Sequence, residues 1–501
     1  MSPPDNTAAP DATRTADAPV GRLLDPKTWD SNRFDGTWKR SSKTIPVVEP
    51  ATGDHLARVA VASPEDIAAA AAAAAAAQPA WAATPFHERA AVMRRAGALF
   101  EAHEAEIHEW LTRESGAVPM KAGFETHVAA AECHEAAALA AAPIGELLPS
   151  EQPRLSAVRR VPAGVVGVIA PFNAPLILGI RSVAAALALG NAVVLKPDPR
   201  TAVSGGVVIA RVFEEAGLPP GVLQLTPGGP DTGEAIVTDP NLRVISFTGS
   251  TNAGREVAQS AGRLLKRVHL ELGGNSALLI LEDADIEAAA SAAAFGSFFH
   301  QGQICMTAGR HLVHESLEAD FTEALTAKAE TLKVGDPFTE EVDLGPIIDA
   351  AQRNKIHALV RAGGTVTTGG EYEDLFYRPT VITGLDTGTP AWSKEIFGPV
   401  APIRSFTTVE EAIALAADSE YGLALGIITG DVMRAWDLAE RIPTGIVHIN
   451  DQTVGDEAHA PFGGVRASGT GARFGGRAAN LEAFTETRWI TMQAHPGPYP
   501  W

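Results

Sequence analysis

Cysteine is scarce in this sequence: among its 501 residues only Cys133 and Cys305 are cysteines. Two cysteines and no Cys-x-x-Cys pair exclude a disulfide framework and the common paired-cysteine metal or redox motifs. The 14 histidines are scattered without a metal-ligand spacing, so no metal site is predicted. We interpret Cys133, between Glu132 and His134, as a small buried residue of a helix, which is how free cysteine is usually accommodated.

Positive charge and long apolar runs are also lacking. The formal net charge of −20 at pH 7 argues against a nucleic-acid partner and against docking on an anionic membrane. No run approaches the roughly 18 apolar residues of a membrane span, and the alanine-rich residues 68–77 are too short. Residues 1–20 have no basic or apolar region typical of a secretory signal, so we expect a disordered tail and a cytoplasmic protein.

The sequence pattern changes near Arg159. Before it, a strand-like segment at 46–61 precedes several helices, the first of which is predicted to start with Ser63 as cap and Pro64 in its first turn. After it, short β-branched runs alternate with helical stretches, a pattern typical of a parallel sheet covered by helices. We predict strands at residues 165–170, 192–195, 222–225, 244–247 and 268–270, with helices at 182–189, 203–216 and 253–265 between them.

Chemistry-bearing residues follow each of these five strands. They are Asn173, then Lys196, then Gly228 and Gly229, then Gly249 and Ser250, and finally Glu271. Because the C-terminal ends of parallel strands meet at one edge of a sheet, we expect these residues to line a dinucleotide site. The Gly249-Ser250 turn before a helix favours phosphate binding. It lacks the G-x-G-x-x-G fingerprint, and an ordinary strand-to-helix turn explains it equally well.

Cys305 lies in the segment Gln301-Gly302-Gln303-Ile304-Cys305-Met306. A lone cysteine is usually a small buried residue, but a turn rich in Gly and Gln would leave this thiol in a loop. A cysteine nucleophile also needs a nearby base or an electropositive setting. The segment therefore indicates a candidate nucleophile whose base must come from elsewhere in the chain.

Five motifs together resemble the aldehyde dehydrogenase superfamily, in the family's order and over nearly the whole chain from about Pro46 to Thr491. They are Phe247-Thr248-Gly249-Ser250, Glu271-Leu272-Gly273-Gly274, Gly302-Gln303-Ile304-Cys305, Glu395-Ile396-Phe397-Gly398-Pro399 and Pro461-Phe462-Gly463-Gly464. The resemblance implies an α/β fold with a Rossmann-type parallel-sheet NAD(P)-binding domain at 21–146 and 162–270. It also implies an α/β catalytic domain at 271–480, and small oligomerisation strands at 147–161 and 481–501 that build a homodimer or homotetramer.

The resemblance also implies roles for the matching residues. Cys305 matches the nucleophile, Glu271 the general base and Asn173 the amide that stabilises the oxyanion. The matching cofactor contacts are Lys196, Gly229, Gly249, Ser250, Glu395 and Phe397. Because branches of the family that transfer the acyl group to coenzyme A lack a carboxylate at the Glu271 position, the match favours hydrolysis to the acid.

One departure from the family pattern concerns the cofactor. Members strict for NAD carry a Glu three residues after the lysine, where this sequence has Pro199. Because position 199 is a proline, it has no carboxylate that would repel a 2′-phosphate. Arg200 offers a cation that can pair with such a phosphate. Asp198 offers a carboxylate for the ribose hydroxyls instead. We therefore expect NADP to be usable and both NAD and NADP to be candidate cofactors.

Two observations favour an aromatic aldehyde as the substrate. Ile304, Met306 and Phe298 predict an apolar approach to Cys305, although Phe298 fits a core role equally well. Three segments, 171–178, 196–201 and 448–454, resemble benzaldehyde and vanillin dehydrogenases. One alternative is an aliphatic aldehyde or semialdehyde dehydrogenase, for which Arg181 is the one candidate carboxylate anchor, although a salt-bridged helix residue is the commoner fate of such an arginine. The others are a catalytically silent relative and a Cys–His hydrolase that needs no nicotinamide.

Overall fold

The computed structural model describes residues 22–499, so the predicted tail at 1–20 lies outside the described residues. The strands are β1 (Asn32–Phe34), β2 (Trp38–Arg40), β3 (Thr44–Val48), β4 (His55–Ala60), β5 (Gly145–Leu147), β6 (Leu155–Pro162), β7 (Val165–Ile169), β8 (Ala192–Lys196), β9 (Leu223–Leu225), β10 (Leu242–Thr248), β11 (Arg267–Glu271), β12 (Ser276–Ile280), β13 (Ala308–His314), β14 (Thr365–Thr368), β15 (Tyr372–Glu373), β16 (Phe376–Tyr377), β17 (Thr380–Thr383), β18 (Val400–Phe406), β19 (Ala424–Ile428), β20 (Ile446–Ile449) and β21 (Thr485–Met492). The α-helices are α1 (Pro26–Trp29), α2 (Pro64–Ala83), α3 (Phe86–Ala102), α4 (Glu104–Ser115), α5 (Pro119–Leu139), α6 (Pro175–Ala188), α7 (Val208–Glu215), α8 (Pro230–Thr238), α9 (Thr251–Arg263), α10 (Ile286–Phe298), α11 (Glu318–Thr331), α12 (Ala350–Val360), α13 (Pro390–Ser393), α14 (Val409–Ala417), α15 (Val432–Ala439) and α16 (Arg477–Phe484).

Helix α2 begins as the sequence predicts. The Ser63 side chain accepts a hydrogen bond from the Asp66 N–H at 3.2 Å, and the Asp66 carboxylate accepts one from the Ser63 N–H at 3.0 Å. This reciprocal pair satisfies backbone donors that the first turn leaves without partners, and Pro64 occupies a position where no N–H is needed. No helix among residues 22–499 combines the length and apolar character required to cross a membrane.

The first large sheet has the strand order β11-β10-β7-β8-β9-β1-β2. Five of its strands, β7 to β11, are parallel neighbours and confirm the five predicted strands. The sequence reading missed β1 and β2, three-residue strands that add antiparallel at the β9 edge. Chain order reverses between the neighbouring strands β7 and β10, which is where open α/β sheets leave a crevice for ligands.

Residues 203–216 form two elements instead of the one helix predicted. Val203–Val207 is a π-helical turn that leads into α7. The buried Glu114 carboxylate accepts hydrogen bonds from the N–H groups of Val203 at 2.9 Å and Ser204 at 2.7 Å. Gly205 and Gly206 lie too close to Pro175 and Leu225 for a side chain. This contact with a distant glutamate widens the turn, and no local periodicity signals it.

A second large sheet has the order β14-β17-β18-β13-β12-β19-β20 and is parallel except for β14 at its edge. Apolar side chains fill both of its faces, with Leu279 and Leu312 in one core and Leu278 and Val313 in the other. The largest core lies around the first sheet and includes Phe474 and Phe484 from near the end of the chain. The expected α/β fold is confirmed.

A third, antiparallel sheet has the order β21-β6-β5. Its register runs from Thr485 opposite Pro162 to Met492 opposite Leu155, so the predicted extended segments near 147–161 and 484–491 pair with each other. Several large apolar side chains of this sheet face solvent, among them Leu147, Trp489 and Met492.

Candidate active site

A cavity of about 1100 Å³ lies at the C-terminal ends of the first sheet's parallel strands. Its lining contains every predicted site residue except Gly228 and Glu271, namely Asn173, Lys196, Gly229, Gly249, Ser250, Cys305, Glu395 and Phe397. These residues come from six separate parts of the sequence and from both large sheets. The convergence predicted at the sheet edge is therefore present, with Cys305 and the segment 395–397 added from the second half of the chain.

The end of the cavity near β8 is lined by Lys196, Gly229 and Ser250. Lys196 is the last residue of β8, and its ammonium makes only a long bond of 3.4 Å to the Pro197 carbonyl. Burial lowers the pKa of Lys196, while the nearby Asp198 and Asp231 raise it. Ser250 caps α9, and its hydroxyl accepts from the Ala253 N–H at 3.4 Å. These residues place a cation and a positive helix end in one cavity, a donor set that fits an anionic dinucleotide.

The Gly249 turn has one backbone donor fewer for a phosphate than the sequence predicted. The Gly249 N–H donates to the Glu271 carbonyl at 3.0 Å, which joins the ends of β10 and β11. A Cβ at Gly249 would lie 2.6 Å from the Phe247 ring, so glycine here serves close packing. Any backbone donors to a phosphate at this turn must therefore come from beyond Gly249.

Arg200 is engaged with protein carboxylates. It donates to Asp198 at 2.8 Å and to Asp349 at 2.6 Å, and its guanidinium lies 4.2 Å from the centre of the Phe172 ring. The sequence predicted that Arg200 offers its charge to a 2′-phosphate. Two protein carboxylates already contact Arg200 and compete for that charge. Asp198 is likewise held by Arg200 instead of standing free for ribose hydroxyls.

The segment 395–397 forms another wall of the cavity. One Glu395 carboxylate oxygen accepts from the Gly274 N–H at 3.0 Å, and burial raises the pKa of Glu395 to about 7. Phe397 has a left-handed backbone and packs edge-on against Phe172, with ring centres 5.8 Å apart. The Gln352 amide on α12 donates to the Phe397 carbonyl at 2.8 Å and so holds this segment in place.

Asn173 lies between β7 and α6 and is buried. Its carbonyl accepts a hydrogen bond of 2.8 Å from the buried ammonium of Lys121, which also pairs with Glu125. Glu125 in turn accepts from the N–H of Leu176 at 3.1 Å, at the start of α6. This buried ion pair holds the backbone of Asn173, which lines the cavity.

Cys305 follows a left-handed turn in which His300, Gln301 and Gly302 all have φ between 50° and 64°. Its thiol packs against an apolar cluster that includes Met306 and Phe462. Burial, followed by the Glu395 and Glu271 carboxylates, raises the pKa of the Cys305 thiol to about 12. As a candidate nucleophile, Cys305 is therefore a thiol at rest and needs a proton acceptor.

Glu271 ends β11 and lies close to Cys305 without lining the main cavity. It is 3% exposed, and neither of its carboxylate oxygens has a hydrogen-bond partner within residues 22–499. Burial raises the pKa of Glu271 well above its usual value, while Arg181 and Arg473 lower it. A buried carboxyl without partners, next to a thiol, is suited to accept a proton during a reaction.

Comparison with known proteins agrees with this geometry. The sequence model of the aldehyde dehydrogenase family matches residues 38–490. The chain belongs to the aldehyde dehydrogenase family. Among its relatives, a vanillin dehydrogenase of an Amycolatopsis species is 67% identical over 95% of this chain and 99% of its own. A benzaldehyde dehydrogenase (NAD⁺) of Pseudomonas putida is 50% identical over 94% and 98%.

Solved structures of the family have the same fold. The betaine aldehyde dehydrogenase of Staphylococcus aureus in complex with NAD⁺ superposes with a TM-score of 0.91 at 30% identity, over 95% of this chain and 97% of that one. An aldehyde dehydrogenase of Brucella melitensis biovar abortus superposes with a TM-score of 0.90 at 33% identity, over 94% and 99%. The family resemblance and the fold inferred from the motifs are both confirmed.

The family's Glu-Leu-Gly-Gly motif has a steric explanation here. A Cβ at Gly273 would lie 2.3 Å from a Glu395 carboxylate oxygen, and one at Gly274 would lie 2.4 Å from the Cys305 carbonyl. Both glycines therefore allow the chain after Glu271 to approach the two segments that carry Cys305 and Glu395. Sequence reasoning found the motif but not this contact.

Several residues around the site were missed at the sequence level. Lys121 and Glu125 hold Asn173, and Gln352 holds Phe397. Glu132 and Asp456 pair with Arg181, which the sequence reading had considered as a substrate anchor. An i, i+4 spacing of Lys121 and Glu125 on a helix was the only local signal. Phe298, a candidate for the substrate approach, is instead 1% exposed and packs in the core of the second sheet.

Gly302→Ala tests the left-handed turn that presents Cys305. Gly302 has φ +64°, and an added Cβ would lie 2.1 Å from the Gly398 carbonyl. We expect the free energy of unfolding to fall by about 3 kcal/mol and kcat to fall at least about tenfold, because the backbone before Cys305 must shift. Gly262→Ala is the control, since nothing lies within 4 Å of a Cβ there. Equal thermal and kinetic behaviour of the two variants would contradict a strained turn.

Proposed function

We propose that this enzyme oxidises an aromatic aldehyde to the carboxylic acid with NAD or NADP, using Cys305 as nucleophile, Glu271 as general base and Asn173 as oxyanion donor. The observation that carries the proposal is the position of Cys305. It lines the dinucleotide-sized cavity together with Asn173, while its thiol also contacts an apolar cluster and lies near the unpartnered carboxyl of Glu271.

Each residue has a chemical task in this proposal. Cys305 loses its proton to solvent and adds to the aldehyde carbon to give a thiohemiacetal, whose oxyanion is stabilised by the Asn173 amide and the Cys305 N–H. NAD(P)⁺, which Lys196, Ser250 and Glu395 would hold in the cavity, would supply the acceptor for the hydride of this carbon. Glu271 removes a proton from water, which attacks the resulting thioester and releases the acid and the Cys305 thiol.

The cofactor proposal includes both NAD and NADP. Pro199 lines the cavity next to Lys196 and Asp198, so no carboxylate faces a 2′-phosphate from that position. Lys196 is the cation that supports either ribose hydroxyls or a phosphate, because Arg200 is held by Asp198 and Asp349. The acidic residues Asp231, Glu234 and Glu256 also line the cavity and favour NAD over NADP.

Pro199→Glu tests this cofactor proposal. We expect the kcat/KM ratio of NADP to NAD to fall at least about tenfold, because like charges a few ångströms apart cost on the order of 1–2 kcal/mol at a partly exposed site. Pro199→Ala is the matched control, since it removes the ring without adding charge, and its ratio should stay near that of the wild type. An unchanged ratio in Pro199→Glu would show that position 199 does not face the 2′ position.

An aromatic substrate is supported by the surroundings of the thiol. Met306, Leu423 and Phe462 are buried beside Cys305, with Ile304 and Val454 packed against them. This apolar cluster suits a flat apolar ring, and the relatives at 67% and 50% identity are vanillin and benzaldehyde dehydrogenases. The test is initial rates with benzaldehyde, hexanal and succinic semialdehyde, with each cofactor. A higher kcat/KM for either comparator than for benzaldehyde would overturn the substrate proposal and leave the catalytic residues in place.

We also propose that the enzyme is a homodimer or homotetramer that associates through the third sheet. Leu147 is 76% exposed, Trp489 63% and Met492 61% on β5 and β21, an apolar surface that a second copy would cover. Sedimentation analysis of the wild type should show a dimer or tetramer, and Trp489→Arg should shift it to smaller species. A monomeric wild type would contradict this.

The chain is divided into domains at the boundaries expected from the sequence in this proposal. We propose a cofactor domain at 21–146 and 162–270, a catalytic domain at 271–480 and an oligomerisation segment at 147–161 and 481–501. It is supported by separate apolar cores around the first and the second sheet. Phe474 packs in the first core, so the last part of the catalytic segment returns to the cofactor domain.

A further inference from the structure

Arg181 lies at the centre of a buried charged cluster beside the active site. It is on α6, the helix that follows Asn173, and its side chain is 2% exposed. Its guanidinium pairs with Asp456, lies 3.6 Å from a Glu132 oxygen and stacks over the Phe462 ring at 4.7 Å. One buried cation thus faces two carboxylates and an aromatic ring.

Two donor groups and one acceptor atom of this cluster have no hydrogen-bond partner among residues 22–499. The Nε and Nη1 groups of Arg181 and the Oδ1 atom of Asp456 are buried, and none has a hydrogen-bond partner in the described part of the chain. The 3.6 Å separation from Glu132 is too long for a hydrogen bond. Each unmade buried hydrogen bond costs about 1–3 kcal/mol, so a donor and an acceptor kept open together point to a ligand that supplies both.

The cluster borders the reacting groups. Phe462, under the Arg181 guanidinium, belongs to the apolar cluster that packs against Cys305. The next residue, Gly463, lies so close to Glu271 that a Cβ there would be 2.7 Å from its carboxylate oxygen. The charges of Asp456 and Arg181 both act on the Cys305 thiol. A ring held in this apolar cluster therefore has the Arg181–Asp456 pair within reach of its substituents.

We propose that Arg181 and Asp456 form a subsite for a hydroxyl group on the ring of the aromatic aldehyde. The phenolic O–H donates to Asp456 Oδ1, and the phenolic oxygen accepts from an open Arg181 N–H. This subsite rests on the proposed oxidation of aromatic aldehydes and names the substrates that the same site prefers. Asp456 lies in residues 450–458, which contain no helix or strand.

The charge balance selects a neutral hydroxyl over an anionic group. The acidic side chains of Glu132 and Asp456 already face Arg181, and Glu271 lies nearby, so this cation is left with no charge for an anionic substituent. A carboxylate on the substrate would add a further negative charge to a buried region, which is unfavourable. A hydroxyl group both donates and accepts, which matches the one open acceptor and the open donors.

The first test uses the wild-type enzyme. The kcat/KM values of 4-hydroxybenzaldehyde and 4-methylbenzaldehyde are compared, because the hydroxyl and methyl groups are similar in size and both donate electrons to the ring. We expect the hydroxyl compound to be preferred at least about tenfold, since a site with buried polar groups rejects an analogue that leaves them unpaired. Equal values would overturn the subsite. Failure to oxidise either compound, or benzaldehyde, would instead overturn the proposed function.

The second test uses Asp456→Asn and Arg181→Lys, with Glu132→Gln as matched control. We expect the 4-hydroxy to 4-methyl preference to fall about tenfold in the first two variants, because each changes a group that contacts the hydroxyl. Glu132→Gln also replaces an acidic group next to Arg181, but Glu132 contributes none of these contacts, so the preference of this variant should stay within about twofold of the wild type. An equal fall in Glu132→Gln, or no fall in the other two, would contradict the subsite. If Asp456→Asn fails to fold, the Arg181→Lys variant and the wild-type comparison of the two aldehydes still test the subsite.

Discussion

Replacing Cys305 with alanine is expected to lower kcat/KM for benzaldehyde by about 10⁴-fold or more, because no thioester forms without the thiol. The fold should be unaffected, because Cys305 is only partly buried and lies at the edge of a small apolar cluster. The measurement is the rise in absorbance of reduced nicotinamide, with circular dichroism to check folding.

Cys133→Ala is the control for that experiment. Cys133 is fully buried on α5 in the core of the first sheet, and burial raises the pKa of its thiol well above the usual value. It is therefore an unreactive core residue. We expect near-wild-type turnover and a loss of about 1 kcal/mol in stability. Retained turnover in Cys305→Ala, or its loss in a folded Cys133→Ala, would contradict the assignment of the nucleophile.

Glu271→Gln is expected to separate the two halves of the reaction. The amide keeps the shape of the side chain but cannot accept a proton from water, so kcat should fall on the order of 10²–10³-fold. Acylation does not need that proton transfer, so a rapid-mixing experiment should still show one equivalent of reduced nicotinamide in the first turnover. If reduced nicotinamide forms as slowly in the first turnover as in the steady state, Glu271 must act before hydride transfer.

The pH dependence follows from the direction of the Glu271 pKa. Burial raises this pKa well above that of a free carboxyl, so the group is protonated and inactive as a base at lower pH. The rate of thioester hydrolysis should therefore rise with pH through the neutral and alkaline range. The corresponding rise should be absent in Glu271→Gln, and a wild-type rate that falls across this range would contradict the role of Glu271 as base.

The elements that the sequence predicted well have strong local patterns. The strands β7, β8 and β10 are short runs rich in β-branched residues, and Asn173, Lys196 and Ser250 lie at the ends of these strands or a few residues beyond them. Once the sheet is parallel, its geometry alone brings these residues to one edge. The position of Cys305 and Glu395 beside them was implied only by the family resemblance, because both belong to the second half of the chain.

The features that the sequence did not predict depend on contacts between distant residues. Arg200 is held by Asp349, which is 149 residues away, and no local pattern marks that pairing. The cluster of Glu132, Arg181 and Asp456 likewise joins three separate segments. The strands β1 and β2, with three residues each, are too short to show a period-of-two alternation.

The most direct test of the account is covalent trapping of the acyl-enzyme. Glu271→Gln is incubated with benzaldehyde and NAD⁺, quenched in acid, digested and analysed by mass spectrometry. We predict a benzoyl group on the peptide that contains Cys305, in an amount equal to the reduced nicotinamide of the first turnover. Reduced nicotinamide formed without any acyl group on Cys305, or an acyl group on another residue, would contradict a mechanism through a Cys305 thioester.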